Sequence, residues 1–300
     1  MLRLLKRVLA VSLLAGCSFS SPIWAAEKIL VFVSIAPQKY FVEQIGKDLV
    51  DVQVMVEAGT SPHTYEPKPR QMAAISKARL YFAIGVAFEK AWLKRIHASN
   101  PGILVVHTDH GIEKLPMIAH HHHGENENHE KAHHDHHHGE LDPHIWLSPS
   151  LVMVQAQNIL SGLQEVDPDH RSAYETNYRA FVADLERLDE ELKRLLSGKE
   201  GFEFMVFHPA WGYFAEAYGL KQVPVEIEGK DPKPAQLMKL IDLAKEHNIR
   251  VVFVQPQFSA KSAKQVAKEI GGQVVFLDPL ALNWADNLRQ AATKFKEAFK

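Results

Sequence analysis

Cysteine is nearly absent from this chain. Of 300 residues only Cys17 carries a thiol, so no intrachain disulfide framework and no cysteine-rich zinc module can form. Excess charge is missing as well: 34 Lys and Arg stand against 36 Asp and Glu, a formal net charge of −2. No basic field is available to neutralise phosphates, which excludes nucleic acid as the expected partner. Beyond the first 26 residues the longest apolar run, about Leu80 to Phe88, is too short to cross a bilayer. No repeat at a period of about 20–50 residues is visible. Histidine, by contrast, is abundant. There are 18, and ten of them fall between His120 and His138.

Residues 1–26 read as an export signal. Arg3, Lys6 and Arg7 form a positive start, followed by the short apolar stretch Val8 to Leu14. Two exits are open. Leu14-Ala15-Gly16-Cys17 matches a lipoprotein processing site, at which Cys17 would be lipidated and anchor the chain. Cleavage at Ala25 would instead release a periplasmic or otherwise extracytoplasmic protein.

Downstream, apolar runs alternate with amphipathic segments, as expected of α/β lobes. Strands are expected at Lys28–Ile35, Val50–Val56, Arg79–Gly85 and Ile103–His107, with helices at Gln38–Gly46, Arg70–Lys77 and Glu89–Ala98. A second series places strands at Phe202–Phe207, Gln222–Ile227, Val251–Gln255 and Gln273–Leu277. Its helices are expected at Ala210–Tyr218, Pro234–His247, Ala260–Ile270 and Trp284–Phe299. Between the two series, Tyr174, Tyr178, Phe181, Leu185, Leu188, Leu192 and Leu195 recur at steps of three and four, the stripe of one long helix. The domains expected are therefore a first lobe over 27–167, a linking helix over 168–197 and a second lobe over 198–300. The polar, histidine-laden loop 118–141 interrupts the first lobe.

Four residues stand at strand exits or in loops, each beside a proline that stiffens its backbone. They are His63 (after Pro62), His144 (after Pro143), His208 (before Pro209) and Asp278 (before Pro279). Two come from each half, so an ion held by all four would sit between the lobes. Three imidazoles and a carboxylate suit tetrahedral Zn²⁺. His97, His107, His110, His170 and His247 lack this setting and read as surface or structural. Asp142 reads either as a partner of His144 or as the start of a turn, and Glu66 as structural.

The segments Gly59-Thr-Ser-Pro-His-Thr-Tyr-Glu-Pro67, Asp142-Pro-His-Ile-Trp-Leu147, Phe207-His-Pro-Ala-Trp-Gly-Tyr-Phe214 and Leu277-Asp-Pro-Leu280 resemble the metal-binding solute receptors of ABC importers. They are most similar to the zinc receptors of that group, ZnuA-like and TroA-like. The resemblance spans the whole mature chain and departs from the pattern at Ser148. It implies two (β/α)4 lobes joined by a long rigid backbone helix, with the metal site in the interlobe cleft. It also implies His63, His144, His208 and Asp278 as ligands, and a membrane permease as partner of a monomeric receptor that takes no organic substrate. His208 stands where manganese relatives carry a carboxylate, which shifts preference toward Zn²⁺.

The loop adds an auxiliary set: His120, His121, His122, His123, His129, His133, His134, His136, His137 and His138, able to gather divalent metal loosely. Three alternatives stay open. They are an exported zinc buffer or adhesin, a receptor for Mn²⁺, Cu²⁺ or Ni²⁺, and a zinc hydrolase. The last ranks lowest, since Asp278 can close the shell and no GxSxG nucleophile segment occurs.

Overall fold

The computed structural model describes residues 28–57, 59–117, 141–227 and 230–299. The export signal and nearly all of the histidine-rich loop lie outside these residues.

Two four-stranded sheets, each wholly parallel, organise the chain. The first contains β1 (Ile29–Ile35), β2 (Val50–Val56), β3 (Leu80–Ala83) and β4 (Leu104–His107) in the order β2-β1-β3-β4. Around it lie α1 (Ala36–Gly46), α2 (Pro69–Ile75), α3 (Ala87–Ser99) and α4 (Pro149–Val166). The second contains β5 (Glu203–Val206), β6 (Lys221–Pro224), β7 (Val251–Val254) and β8 (Gln273–Phe276) in the order β6-β5-β7-β8. Its helices are α6 (Gly212–Ala217), α7 (Pro234–Glu246), α8 (Lys261–Glu269) and α9 (Trp284–Ala298), while α5 (Arg171–Leu196) runs between the two units. The two α/β lobes and the linking helix expected from the sequence are present.

β1 is buried along almost its whole length because helices cover both faces of a parallel sheet, so its residues need not alternate. Three helices open with one device. Gln38 accepts from the backbone N–H of Ser34 and Ile35, Gln71 from that of Lys68 and Gln236 from that of Lys233, at 2.8–3.3 Å. In each a proline precedes the glutamine within the first turn, where its missing N–H costs nothing.

The sequence reading assigns no helix or strand to residues 149–166, where the structure forms the 18-residue α4. The apolar run Leu151–Val154 is too short to distinguish strand from helix by periodicity. Pro149 at the first helical position and the buried set Val152, Ala156, Ile159, Leu160 and Leu163 decide it. α4 and α1 pack on α5, and α9 packs on it from the other lobe. Helix α5 buries Tyr174, Phe181, Leu185, Leu188, Leu192 and Leu196. At ~1.5 Å per residue it is about 39 Å long, enough to serve both lobes. One apolar core, from Phe41 through Leu188 to Phe295, is continuous across them. Leu188→Ala is therefore expected to cost about 2–5 kcal/mol, read as a lowered midpoint in urea unfolding of the whole chain.

Near the cleft the lobes are also bonded directly. Trp146 Nε1 donates to the Pro279 carbonyl and Trp284 Nε1 donates to the Trp146 carbonyl, both at 2.7 Å. All three residues are buried, so these bonds are shielded from competing water.

Candidate metal centre

In both sheets the strand order reverses between the first strand and the third, and open α/β sheets bind ligands outside the carboxyl ends of strands at such points. His208 leaves the end of β5, and the loop after β7 lies beside it. Val86 and Ala87, just beyond β3, face them from the first lobe.

His63 sits in the turn after β2, where its N–H bonds Ser61 Oγ at 3.3 Å. Glu57 pairs with Lys68 and Arg70 across the base of that turn. His144 opens the tight turn Ile145–Leu147 that leads into α4. These loops bring one nitrogen from each of His63, His144 and His208 within 4.8 Å of one another, and this is the only such cluster among the described residues.

Two of the three rings are oriented by carboxylates. His144 Nδ1 is 2.6 Å from Asp142 Oδ1, and His208 Nδ1 is 2.7 Å from Glu226 Oε1. An ionised carboxylate only accepts, so each Nδ1 carries the proton and each Nε2 presents a lone pair. Those two Nε2 atoms lie 3.3 Å apart. Two lone pairs at that distance repel unless a cation lies between them. A tetrahedral zinc with Zn–N near 2.0–2.1 Å has nitrogen–nitrogen edges of about 3.3–3.4 Å. The spacing fits the ion.

The space that all three histidines enclose is small. His63, His144 and His208 share a cavity of about 20 Å³, room for one water-sized occupant. Its walls include Val86, Trp146, Phe258, Pro279 and Leu280. The His63 residue has exposed surface, but its ring lies 5.0 Å from that of His208, centroid to centroid. Loss of water around that ring, then repulsion from His208 and His144, lowers its pKa to about 4. Burial lowers that of His208 as well, against the opposing pull of Glu226. Neutral imidazoles are the form a metal needs.

Asp278 stands apart from this cluster. Its Oδ1 accepts from Gln257 Nε2 at 2.8 Å and from the Leu280 N–H at 3.0 Å, which hold the carboxylate in place. The other histidines are elsewhere too: His170 pairs with Asp167, His247 with Glu203, and His107 lies 3.7 Å from Asp109. Glu66 is exposed. The two readings of Asp142 are both realised, since its carboxylate also accepts the backbone N–H of His144 at 2.9 Å. Glu226 is a residue the sequence reading does not find. It lies 18 positions beyond His208 with no local motif, and only the pairing of β5 with β6 brings it near. Glu226→Gln keeps an acceptor but removes the charge, and is expected to weaken metal binding 10–100-fold in a competition titration.

The auxiliary histidines, His120 to His138, lie outside the described residues. Within that stretch His129-Glu130-Lys131-Ala132-His133 has the His-Glu-x-x-His spacing of zinc hydrolases. The three clustered histidines come from other segments.

A family model described as zinc-uptake complex component A, periplasmic (ZnuA), matches residues 31–298. The chain belongs to the ZnuA family. Among its relatives, the high-affinity zinc uptake system protein ZnuA of Bacillus subtilis (strain 168) is 34% identical over 278 residues, 89% of this chain and 85% of the relative. A crystal structure of ZnuA is similar with a TM-score of 0.83 at 44% identity, covering 91% of this chain and 100% of that one. A ZnuA deletion mutant with zinc bound gives 0.81 at 45% identity, covering 91% and 98%. The ZnuA family acts in zinc uptake as one component of a complex, so its role is in transport.

Proposed function

We propose that His63, His144 and His208 hold one Zn²⁺ in the interlobe cleft, and that the chain is the extracytoplasmic receptor delivering this ion to the permease of an ABC importer. The observation that carries the reading is the pair of Nε2 atoms 3.3 Å apart, each left with a free lone pair because Nδ1 keeps the ring proton and donates it to a carboxylate. Imidazole donors suit Zn²⁺ better than Mn²⁺, while Cu²⁺ and Ni²⁺ accept the same set, so selectivity is a matter of competition. The space enclosed by all three histidines, about 20 Å³, matches a single ion or water, which supports a carrier of a bare cation. No described helix is long and apolar enough to cross a membrane. In this reading the chain is exported through residues 1–26 and acts as a monomer beside its permease. The histidines of the loop gather zinc near the cleft in weaker, shifting sites.

Metal analysis and competition titration of the mature protein test the receptor reading. One zinc per chain surviving competition from a strong chelator, with the remainder exchanging freely, is the expected result. Absence of any tight equivalent would overturn it. Loss of growth under chelation after deletion of the gene separates a receptor from a zinc buffer.

A further inference from the structure

The run Gln255-Pro256-Gln257-Phe258, which follows β7, meets the cleft with three side chains. A turn closed by the Phe258 N–H on the Gln255 carbonyl at 3.1 Å sets their directions. Gln255 brackets the backbone of His208, accepting from its N–H at 3.2 Å and donating to its carbonyl. Phe258 lies over the His208 ring, with centroids 4.8 Å apart and planes 23° apart. Gln257 donates through Nε2 to Asp278 Oδ1 at 2.8 Å. One turn thus handles both His208 and the carboxylate expected to complete the shell.

The orientation of Gln257 is not arbitrary. A carboxylate offers only acceptors, so the amide must turn its nitrogen toward Asp278 and its oxygen the other way. That oxygen is buried and has no hydrogen-bond partner among the described residues. Gln257 lines the cavity that the three histidines share, whereas Asp278 is not among the lining residues. A buried acceptor in that wall calls for a donor. Water bound to a cation is a strong one, because the charge acidifies its protons.

We propose that Gln257 sets the metal selectivity of the cleft, holding Asp278 back from the ion with its amide nitrogen and accepting from a metal-bound water with its amide oxygen. This rests on the zinc-receptor reading above. Three imidazoles and a water form a nitrogen-rich set that favours the later divalent metals. Releasing Asp278 into the shell adds a hard anionic oxygen and raises the relative affinity for Mn²⁺.

The test is a double-mutant cycle on the mature chain, with Zn²⁺ and Mn²⁺ affinities from competition titration and folding checked by circular dichroism. Asp278→Ala alone is expected to change zinc affinity by less than fivefold. Gln257→Leu, close in volume but unable to bond Asp278, is expected to raise the Mn²⁺-to-Zn²⁺ affinity ratio about tenfold. The double variant is expected to return that ratio to the original. Gln257→Ala provides the same comparison if the leucine disturbs folding. A loss of fivefold or more in Asp278→Ala overturns the proposal, since Asp278 would then already bind the ion. So does an unchanged ratio in the Gln257 variants, or a raised ratio that persists without Asp278. His208→Ala keeps the two readings apart. Loss of tight zinc there with an unmoved ratio fails Gln257 alone, and retention of tight zinc fails the cleft site itself.

Discussion

His208→Ala is expected to weaken zinc binding by ~10³-fold or more, about 4 kcal/mol at 1.4 kcal/mol per decade. Removing a partner of a metal-bound histidine typically costs 10–100-fold, so removing the imidazole itself must exceed that. The residue is only 6% exposed, and water reaches the gap poorly, so solvent is a weak substitute for the lost nitrogen. The substitution also strands Glu226, whose Oε1 loses the Nδ1–H and stays buried. A drop in metal-free stability should accompany the loss of affinity, since an unpaired buried charge is destabilising. His97→Ala and His170→Ala, outside the cluster, separate these effects from a general cost of losing histidine, and should leave zinc affinity unchanged. Tight zinc retained by His208→Ala would refute the assignment. His144→Ala should weaken zinc likewise but cost less metal-free stability, because Asp142 Oδ1 keeps its bond from the backbone N–H of residue 144.

The cleft histidines are legible in the sequence because a rigid neighbour marks each of them. Pro62, Pro143 and Pro209 leave a pattern of imidazoles at loop positions that needs no tertiary information. Strands β1, β3 and β7 are legible because both faces of a parallel sheet are covered, which makes them short apolar blocks. What the sequence does not disclose is pairing across distance. Glu226 reaches His208 only after β6 has docked on β5, and Gln257 reaches Asp278 only because β7 and β8 are neighbours. The placement of Asp278 shows the same limit. Its position at a strand exit beside a proline matches that of the histidines, but two hydrogen bonds from Gln257 and Leu280 fix the direction of its carboxylate. Helix α4 is hidden for a local reason: its first turns carry an apolar block that reads equally well as a strand.

Zinc affinity is expected to change by no more than about tenfold between pH 7 and pH 5.5, and to collapse only as the pH approaches 4. Three free imidazoles with pKa ~6.5 would each be about nine-tenths protonated at pH 5.5, and together would cost ~10³-fold in affinity. The folded site does not behave as three free rings. Loss of water, followed by repulsion from His208 and His144, lowers the pKa of His63 to about 4, and burial lowers that of His208. Protons therefore compete with the ion later than the sequence alone suggests. Stability without metal moves in the same direction but begins to fall at higher pH. The unfolded chain takes up protons near pH 6.5 while folded His63 resists them until about pH 4, so the unfolded state binds more protons throughout that window. Stability from these neutral rings is fully present above about pH 6.5 and declines as the pH falls toward 4. Two titrations on one preparation resolve this: zinc competition at each pH, and the urea midpoint of the metal-free protein. A hundredfold or greater loss of zinc affinity by pH 5.5, with an unmoved urea midpoint, would mean that the imidazoles titrate as free groups. The cleft would then be a wetter, more open site than the packing of Trp146, Phe258 and Leu280 around it requires.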